Sequence, residues 1–137
     1  MDDQELLRYS KQIMLPQIDV EGQQKIIDST ILIIGMGGLG SPTALYLAAA
    51  GVGHIMIADF DQVELSNLQR QIIHRTSDIG DDKVNSAKAK LLDLNPNIKV
   101  TIVNEILHTD NLSLLINDAD IVLDGTDNFE SRFEINK

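Results

Sequence analysis

Ile31-Leu32-Ile33-Ile34-Gly35-Met36-Gly37-Gly38-Leu39-Gly40 is the stretch on which the reading of this chain turns. Four consecutive aliphatic residues predict a short strand buried on both faces, as in a parallel sheet. The glycines at 35, 37, 38 and 40 predict a tight turn directly after it. Ser41-Pro42 fits the first turn of a helix, where proline loses no needed hydrogen bond. Leu39, Leu45, Leu47 and Ala48-Ala49-Ala50 suit a helix packed closely on a sheet, and Gly51 and Gly53 suit its end. Strand, glycine turn and helix is the context a G-x-G-x-x-G match requires. The free N–H groups of the first helical turn point at anionic oxygens, and the small residues let the backbone approach them. The alternative is a tight strand-to-helix turn that holds no ligand.

Outward from this unit, His54-Ile55-Met56-Ile57-Ala58 predicts a second strand ending at Asp59, an acidic residue placed to accept hydrogen bonds from ribose hydroxyls. A dinucleotide-dependent dehydrogenase fits equally well up to this point. The loop behind Asp59 separates the two, with Asp61, Glu64, Ser66, Asn67, Gln69 and Arg70 in close succession. A dehydrogenase needs nothing particular there, whereas so polar a loop beside a phosphate site suits a triphosphate and a reacting acyl group.

The remaining segments extend the same alternation. Residues 3 to 14 predict an amphipathic helix stopped by Pro16, and Glu21 to Asp28 a second short one. Asp82 to Leu94 is helical, with Val84, Ala87, Leu91 and Leu94 on one stripe, closed by Asn95-Pro96. Val100, Ile102 and Val103 predict a third strand, Asn111 to Asn117 a helix, Ile121-Val122-Leu123 a fourth strand, and Asn128 to Lys137 the start of a helix with Phe129 and Phe133 on one face. Alternating strands and helices predict an α/β, Rossmann-like, doubly wound and mainly parallel sheet in the order 3-2-1-4, preceded by an N-terminal helical segment. The ligand belongs at the carboxyl ends of the strands, near the switch point.

The 137 residues suffice for a single domain with a sizeable core, and 43% hydrophobic with 23% charged residues is ordinary for a globular protein. A net charge of −10 (11 basic, 21 acidic) argues against nucleic acid as a partner. No apolar run reaches membrane-spanning length and the acidic N-terminus is unlike a secretory signal, so a cytoplasmic protein without membrane association is expected. There is no cysteine and hence no disulfide. His54, His74 and His108 are scattered, which favours surface or interface positions over a metal site. Met14, Met36 and Met56 suit packing, with Met36 over an adenine or the sheet end.

Arg8-Tyr9-Ser10-Lys11-Gln12-Ile13, the Gly35–Gly40 turn, Asp59-Phe60-Asp61, Ser66-Asn67-Leu68-Gln69-Arg70-Gln71, Gly80 with Lys83, Asn95-Pro96 and Asp124-Gly125-Thr126-Asp127-Asn128 follow one another along the chain. In this order and spacing they resemble the ThiF/MoeB/HesA family, the ubiquitin-activating-type adenylyltransferases that prepare sulfur-carrier proteins for thiamin and molybdopterin synthesis. The likeness covers essentially the whole chain, and Gly22-Gln23-Gln24-Lys25 with Ala44-Leu45-Tyr46-Leu47 leans toward the thiamin branch. It implies ATP and Mg²⁺, a ubiquitin-like sulfur-carrier protein as partner, and a homodimer. It also implies further strands, and usually a zinc site of two Cys-x-x-Cys pairs, which this cysteine-free sequence does not contain. The chain is therefore expected to be the N-terminal portion of a longer adenylyltransferase.

Site residues follow from the resemblance and the local chemistry together. Arg70, Lys83 and Asp127 are the expected catalytic residues. Arg70 is suited to bidentate contact with phosphate, a surface ion pair being the alternative. Lys83 opens a helix, where a cation is unfavourable unless a phosphate is near. Asp127 is the expected Mg²⁺ ligand, and either it or Asn128 also suits the N-cap of the last helix. Gly35, Gly37, Gly38, Gly40, Asp59, Asp61, Ser66, Asn67, Gln69 and Asn128 complete the expected nucleotide-binding set. The family's N-terminal arginine, which reaches a neighbouring subunit's phosphates, is matched here by Lys11, with Arg8 close by to share the role. Two other classes stay open: an NAD-dependent oxidoreductase, and a non-catalytic dimerisation or partner-binding scaffold.

Overall fold

The computed structural model describes residues 1–36, 40–59, 61–69, 71, 73–103 and 109–125, with the backbone alone at 109–112. β1 (Thr30–Ile34), β2 (His54–Ala58), β3 (Lys99–Val103) and β4 (Ile121–Asp124) form one parallel sheet in the order β3-β2-β1-β4. This is the expected order. The helix predicted from 128 onward, with Phe129 and Phe133, lies outside the described residues.

Uninterrupted aliphatic strands arise because both faces of the sheet are covered. Ile31, Ile33, Ile55 and Ile57 pack with Ala44 and Ala48 of α4 (Gly40–Ala50) and with Val84, Ala87 and Leu91 of α5 (Lys83–Leu94). Leu32, Ile34, Met56 and Ala58 point the other way, toward Leu115 and Ile116 of α6 (Thr109–Asn117). Each large aliphatic side chain so buried stabilises the fold by about 1.5–3 kcal/mol. Alanine at 44 and 48 lets α4 lie close to the sheet, and a larger residue there would cost about 1–3 kcal/mol in overpacking. Leu94, expected on the buried stripe of α5, is instead exposed, because the helix ends there and Asn95 turns the chain away.

The N-terminal segment differs from the single helix expected over residues 3 to 14. It forms α1 (Asp3–Arg8) and α2 (Ser10–Ile13), broken at Tyr9. Tertiary packing overrides helix periodicity at this residue. The Tyr9 side chain is fully buried, and its hydroxyl accepts a hydrogen bond from Asn95 Nδ2 at 2.8 Å. Gly51, with φ at +94°, lies directly against the ring, where an added Cβ would sit 2.6 Å from a ring carbon. The second expected helix runs from Asp19 to Ile27 as α3. Gln12 Nε2 on α2 and Gln23 Nε2 on α3 both donate to the Ala50 carbonyl at 3.0 Å, satisfying the end of α4. Met14, expected to pack, is exposed on this segment, whereas Met36 and Met56 are buried.

Candidate functional site

In this strand order the chain reverses direction across the sheet at β1, so the crevice opens at the carboxyl ends of β1 and β4. Three glycines meet there. Gly35 takes a φ of +94°, and a Cβ on Gly40 would lie 1.8 Å from its carbonyl oxygen. A Cβ on Gly125, just past β4, would approach the same oxygen to 2.9 Å. The Gly125 N–H donates to the Ile34 carbonyl at 2.7 Å, extending the β1–β4 pairing to the crevice. These contacts leave no room for side chains, the condition under which backbone N–H groups can meet a ligand directly.

Asp59, at the end of β2, holds this turn. One carboxylate oxygen accepts the Met36 N–H and the other the Asp61 N–H, both at 2.8 Å. Each oxygen keeps a further lone pair for another donor. The Asp61 carbonyl in turn accepts the Lys83 N–H at 2.9 Å, and an antiparallel bridge pairs Gln62 with Asp82. This pairing brings the start of α5 back beside Asp59. The Lys83 side chain is buried, with its ammonium 3.9 Å from the Asp61 carboxylate, beyond hydrogen-bond length. A buried cation so loosely paired, at a helix start where the dipole also opposes it, is electrostatically suited to an anion.

Ser66, Asn67 and Gln69 lie on the loop between Asp61 and α5. Asn67 is nearly buried, its side-chain oxygen accepting the Glu64 N–H at 3.0 Å, while Ser66 and Gln69 are exposed. Gln71 is buried, and its Oε1 has no hydrogen-bond partner among the described residues. Gly37, Gly38, Arg70, Asp127 and Asn128 lie outside the described residues. Among the described residues no cluster of three or more histidine and carboxylate side chains is placed to hold a metal, and no helix is long and apolar enough to cross a membrane.

Arg8 and Lys11 sit at the other end of the domain. Arg8 Nη1 donates to the Leu94 carbonyl, at the carboxyl end of α5, while Lys83 opens that helix. Twelve helical residues separate those ends by about 18 Å.

Met36 packs, as expected, and is fully buried in the layer between the sheet and α4 and α5. One expectation about the histidines needs correction. His74 is not on the surface but buried, bound through Nδ1 to Ser86 Oγ at 2.7 Å and through Nε2 to the Met36 carbonyl at 3.2 Å. Burial is the main force holding its pKa below the ordinary value, with the Lys83 charge assisting, while the Met36 carbonyl, Asp78 and Asp59 act in the opposite direction. His54 is half-buried against Thr101, and His108 lies outside the described residues. No local signal marks His74, because its partners Met36 and Ser86 lie 38 and 12 residues away.

The chain is 51% identical over 136 residues to the sulfur carrier protein ThiS adenylyltransferase of Escherichia coli, covering 99% of this chain and 54% of that one. It is 48% identical over 136 residues to the molybdopterin-synthase adenylyltransferase of the same organism, covering 99% and 55%. The chain thus spans about half the length of these relatives. Its fold matches the crystal structure of the E. coli tRNA N6-threonylcarbamoyladenosine dehydratase TcdA in complex with ATP, with a TM-score of 0.86 at 28% identity over 93% of this chain and 52% of that one. The sequence profile of the ThiF family matches residues 9–137, and the chain belongs to that family.

Proposed function

We propose that this chain supplies the nucleotide-binding part of an enzyme that uses ATP to adenylate the C-terminal glycine of a ubiquitin-like sulfur-carrier protein, in thiamin or molybdopterin-type sulfur transfer. The observation that carries the reading is the buried Lys83, set by the Asp61 backbone beside the glycine turn that Asp59 holds. The two phosphates of a nicotinamide dinucleotide can be met by the turn's N–H groups alone, whereas a triphosphate carries more charge and calls for a cation as well.

The carrier's carboxylate oxygen attacks the α-phosphorus of ATP. A new P–O bond forms, the bond to the bridging oxygen breaks, and its electron pair leaves with pyrophosphate. A carboxylate is already ionised near neutral pH, so no general base is needed. Alignment and neutralisation of phosphate charge are then the main sources of rate. Backbone N–H groups from Gly35 to Gly40 receive phosphate oxygens, Asp59 takes the ribose hydroxyls on its remaining lone pairs, and Lys83 and Arg70 neutralise charge, with Asp61, Ser66, Asn67, Gln69 and Asn128 around them. Mg²⁺, held by Asp127 together with phosphate oxygens, would add charge neutralisation of its own.

Arg8 and Lys11, at the far end of α5 from Lys83, serve in this reading only in a homodimer, where they reach a partner's phosphates. A monomer by light scattering of a version as long as the relatives would remove them from the site. The reading as a whole is tested by pyrophosphate exchange into ATP with a sulfur-carrier protein present, in a chain extended to the relatives' length. Arg70→Ala should cut exchange by ~10²-fold or more. Asp127→Ala should lose Mg²⁺-dependent exchange, with partial recovery at excess Mg²⁺. Near-normal exchange in both variants, or thermal stabilisation by NAD that equals that by ATP, would overturn it.

A further inference from the structure

The Met36 backbone is gripped from three sides. Its N–H is held by Asp59, and its carbonyl accepts from the Ser41 hydroxyl at 3.1 Å and contacts His74 Nε2 at 3.2 Å. On its other edge the His74 ring meets Ser86 Oγ at 2.7 Å. Ser86 lies one helical turn beyond Lys83 on α5, on the same face. Ser86 Oγ continues to Asp78 Oδ2 at 3.0 Å, which also accepts the Arg75 N–H at 2.7 Å. A buried relay thus runs from the glycine turn to the helix that carries Lys83.

Counting protons along this relay gives an unequal result. The Met36 carbonyl and the Asp78 carboxylate only accept, and the Ser86 hydroxyl has one hydrogen. The contacts from Met36 to His74, His74 to Ser86 and Ser86 to Asp78 need one hydrogen each. A neutral imidazole together with Ser86 leaves one contact without its hydrogen, whereas an imidazolium fills all of them.

We propose that His74 is a positioning residue that locks the nucleotide-binding turn to the Lys83 helix, and that its ring takes up a proton from solvent when nucleotide phosphate binds at the turn. This rests on the nucleotide-binding reading above. The charged groups that face the ring are Lys83, which opposes the second proton, and Asp78 and Asp59, which favour it; burial opposes it as well. These leave the ring neutral in the free protein. Phosphate arriving between the turn and Lys83 screens the lysine and adds negative charge, which favours the imidazolium and closes the relay.

The experiment is calorimetric titration of this chain with ATP and saturating Mg²⁺, in buffers of different ionisation enthalpy, from about pH 6.5 to about pH 8. Binding should take up protons, and the ATP Kd should weaken by up to about tenfold per pH unit where a full proton is taken up. His74→Gln keeps a donor for the Met36 carbonyl, so it should still bind ATP but without the proton uptake; it also serves as the blank for the nucleotide's own ionisation. Ser86→Ala should likewise bind without uptake. Nitrogen-15 spectra of the wild-type ring give the same answer without any variant, moving from the Nε2–H neutral pattern to the imidazolium pattern as ATP is added. ATP binding with no proton uptake and a ring that stays neutral overturns the proposal alone. So does an uptake in His74→Gln as large as in the wild type. Failure of the wild-type chain to bind ATP at all overturns the nucleotide-binding reading and this one with it.

Discussion

Replacing Lys83 with methionine separates what that side chain does for the fold from what it does for the ligand. Methionine is of comparable length and apolar, so it fills the same buried space. Its effect on stability is the difference of two opposing terms. Burying an ammonium costs several kcal/mol even after relaxation. Its attraction to Asp61 at 3.9 Å spans about 1 to about 4 kcal/mol between bulk water and an effective dielectric of 20. The Asp61 side chain is 58% exposed, which places that attraction near the lower end. Lys83→Met should therefore leave unfolding free energy unchanged or raise it, by up to about 4 kcal/mol. ATP affinity should behave differently. A charge-assisted hydrogen bond to phosphate is worth about 1.5–3 kcal/mol, so Kd should rise about 10- to 150-fold. Urea denaturation and calorimetric titration on the same preparation give both numbers. Unchanged ATP affinity in a folded variant would refute the placement of Lys83 at the phosphates. Destabilisation by more than about 3 kcal/mol would refute the argument that its burial is maintained for a ligand.

Gly40→Ala drives a Cβ to 1.8 Å from the Gly35 carbonyl oxygen, backbone against side chain, and should cost about 3 kcal/mol or more in urea unfolding and abolish ATP binding. Asn95→Ala removes the donor shared by the Tyr9 hydroxyl and the Ala48 carbonyl, both at 2.8 Å, and should destabilise by about 2–4 kcal/mol, with limited proteolysis releasing the N-terminal helices first. In the absence of nucleotide, His74 has a folded-state pKa below 6.5, so its neutral form contributes stability above that value that is lost as pH falls through the lowered one; unfolding free energy should decline on acidification below pH 6.5, and His74→Gln should flatten that part of the profile.

Much of the fold was legible because its determinants are local. Ile31 to Ile34 with Gly35 and Gly40 specify strand, turn and helix within ten residues, and the alternation that follows leaves few ways to order the sheet. The expected site converged in part: Gly35, Gly40, Asp59, Asp61 and Lys83 do meet at the carboxyl ends of the strands. What the sequence hid depends on contacts between distant segments. The helix break at Tyr9 follows from Asn95 and Gly51 at remote positions, and no periodicity in residues 3 to 14 encodes it. His74 looked like a loop histidine because its partners, Met36 and Ser86, lie on opposite sides of it in sequence. Arg8 and Lys11 read as site residues for a neighbouring subunit, and within one chain Arg8 lies at the far end of α5 from Lys83, a distance that linear spacing does not reveal.

The β1–β4 pairing also sets a timetable for the chain as it is made. Ile31 pairs with Ile121 and Ile34 with Asp124, so one wall of the crevice leads the other by some ninety residues of synthesis. A nascent chain that has reached Val103 already holds β1, the glycine turn, Asp59 and Lys83, but its central strand still has an open edge. Loop-closure entropy makes so remote a parallel contact slow to form, and an unpaired aliphatic edge is a template for the wrong partner meanwhile. The second wall of the crevice is absent until β4 docks and the Gly125 amide finds Ile34, so the turn and its lysine are made well before the cleft that they line can close.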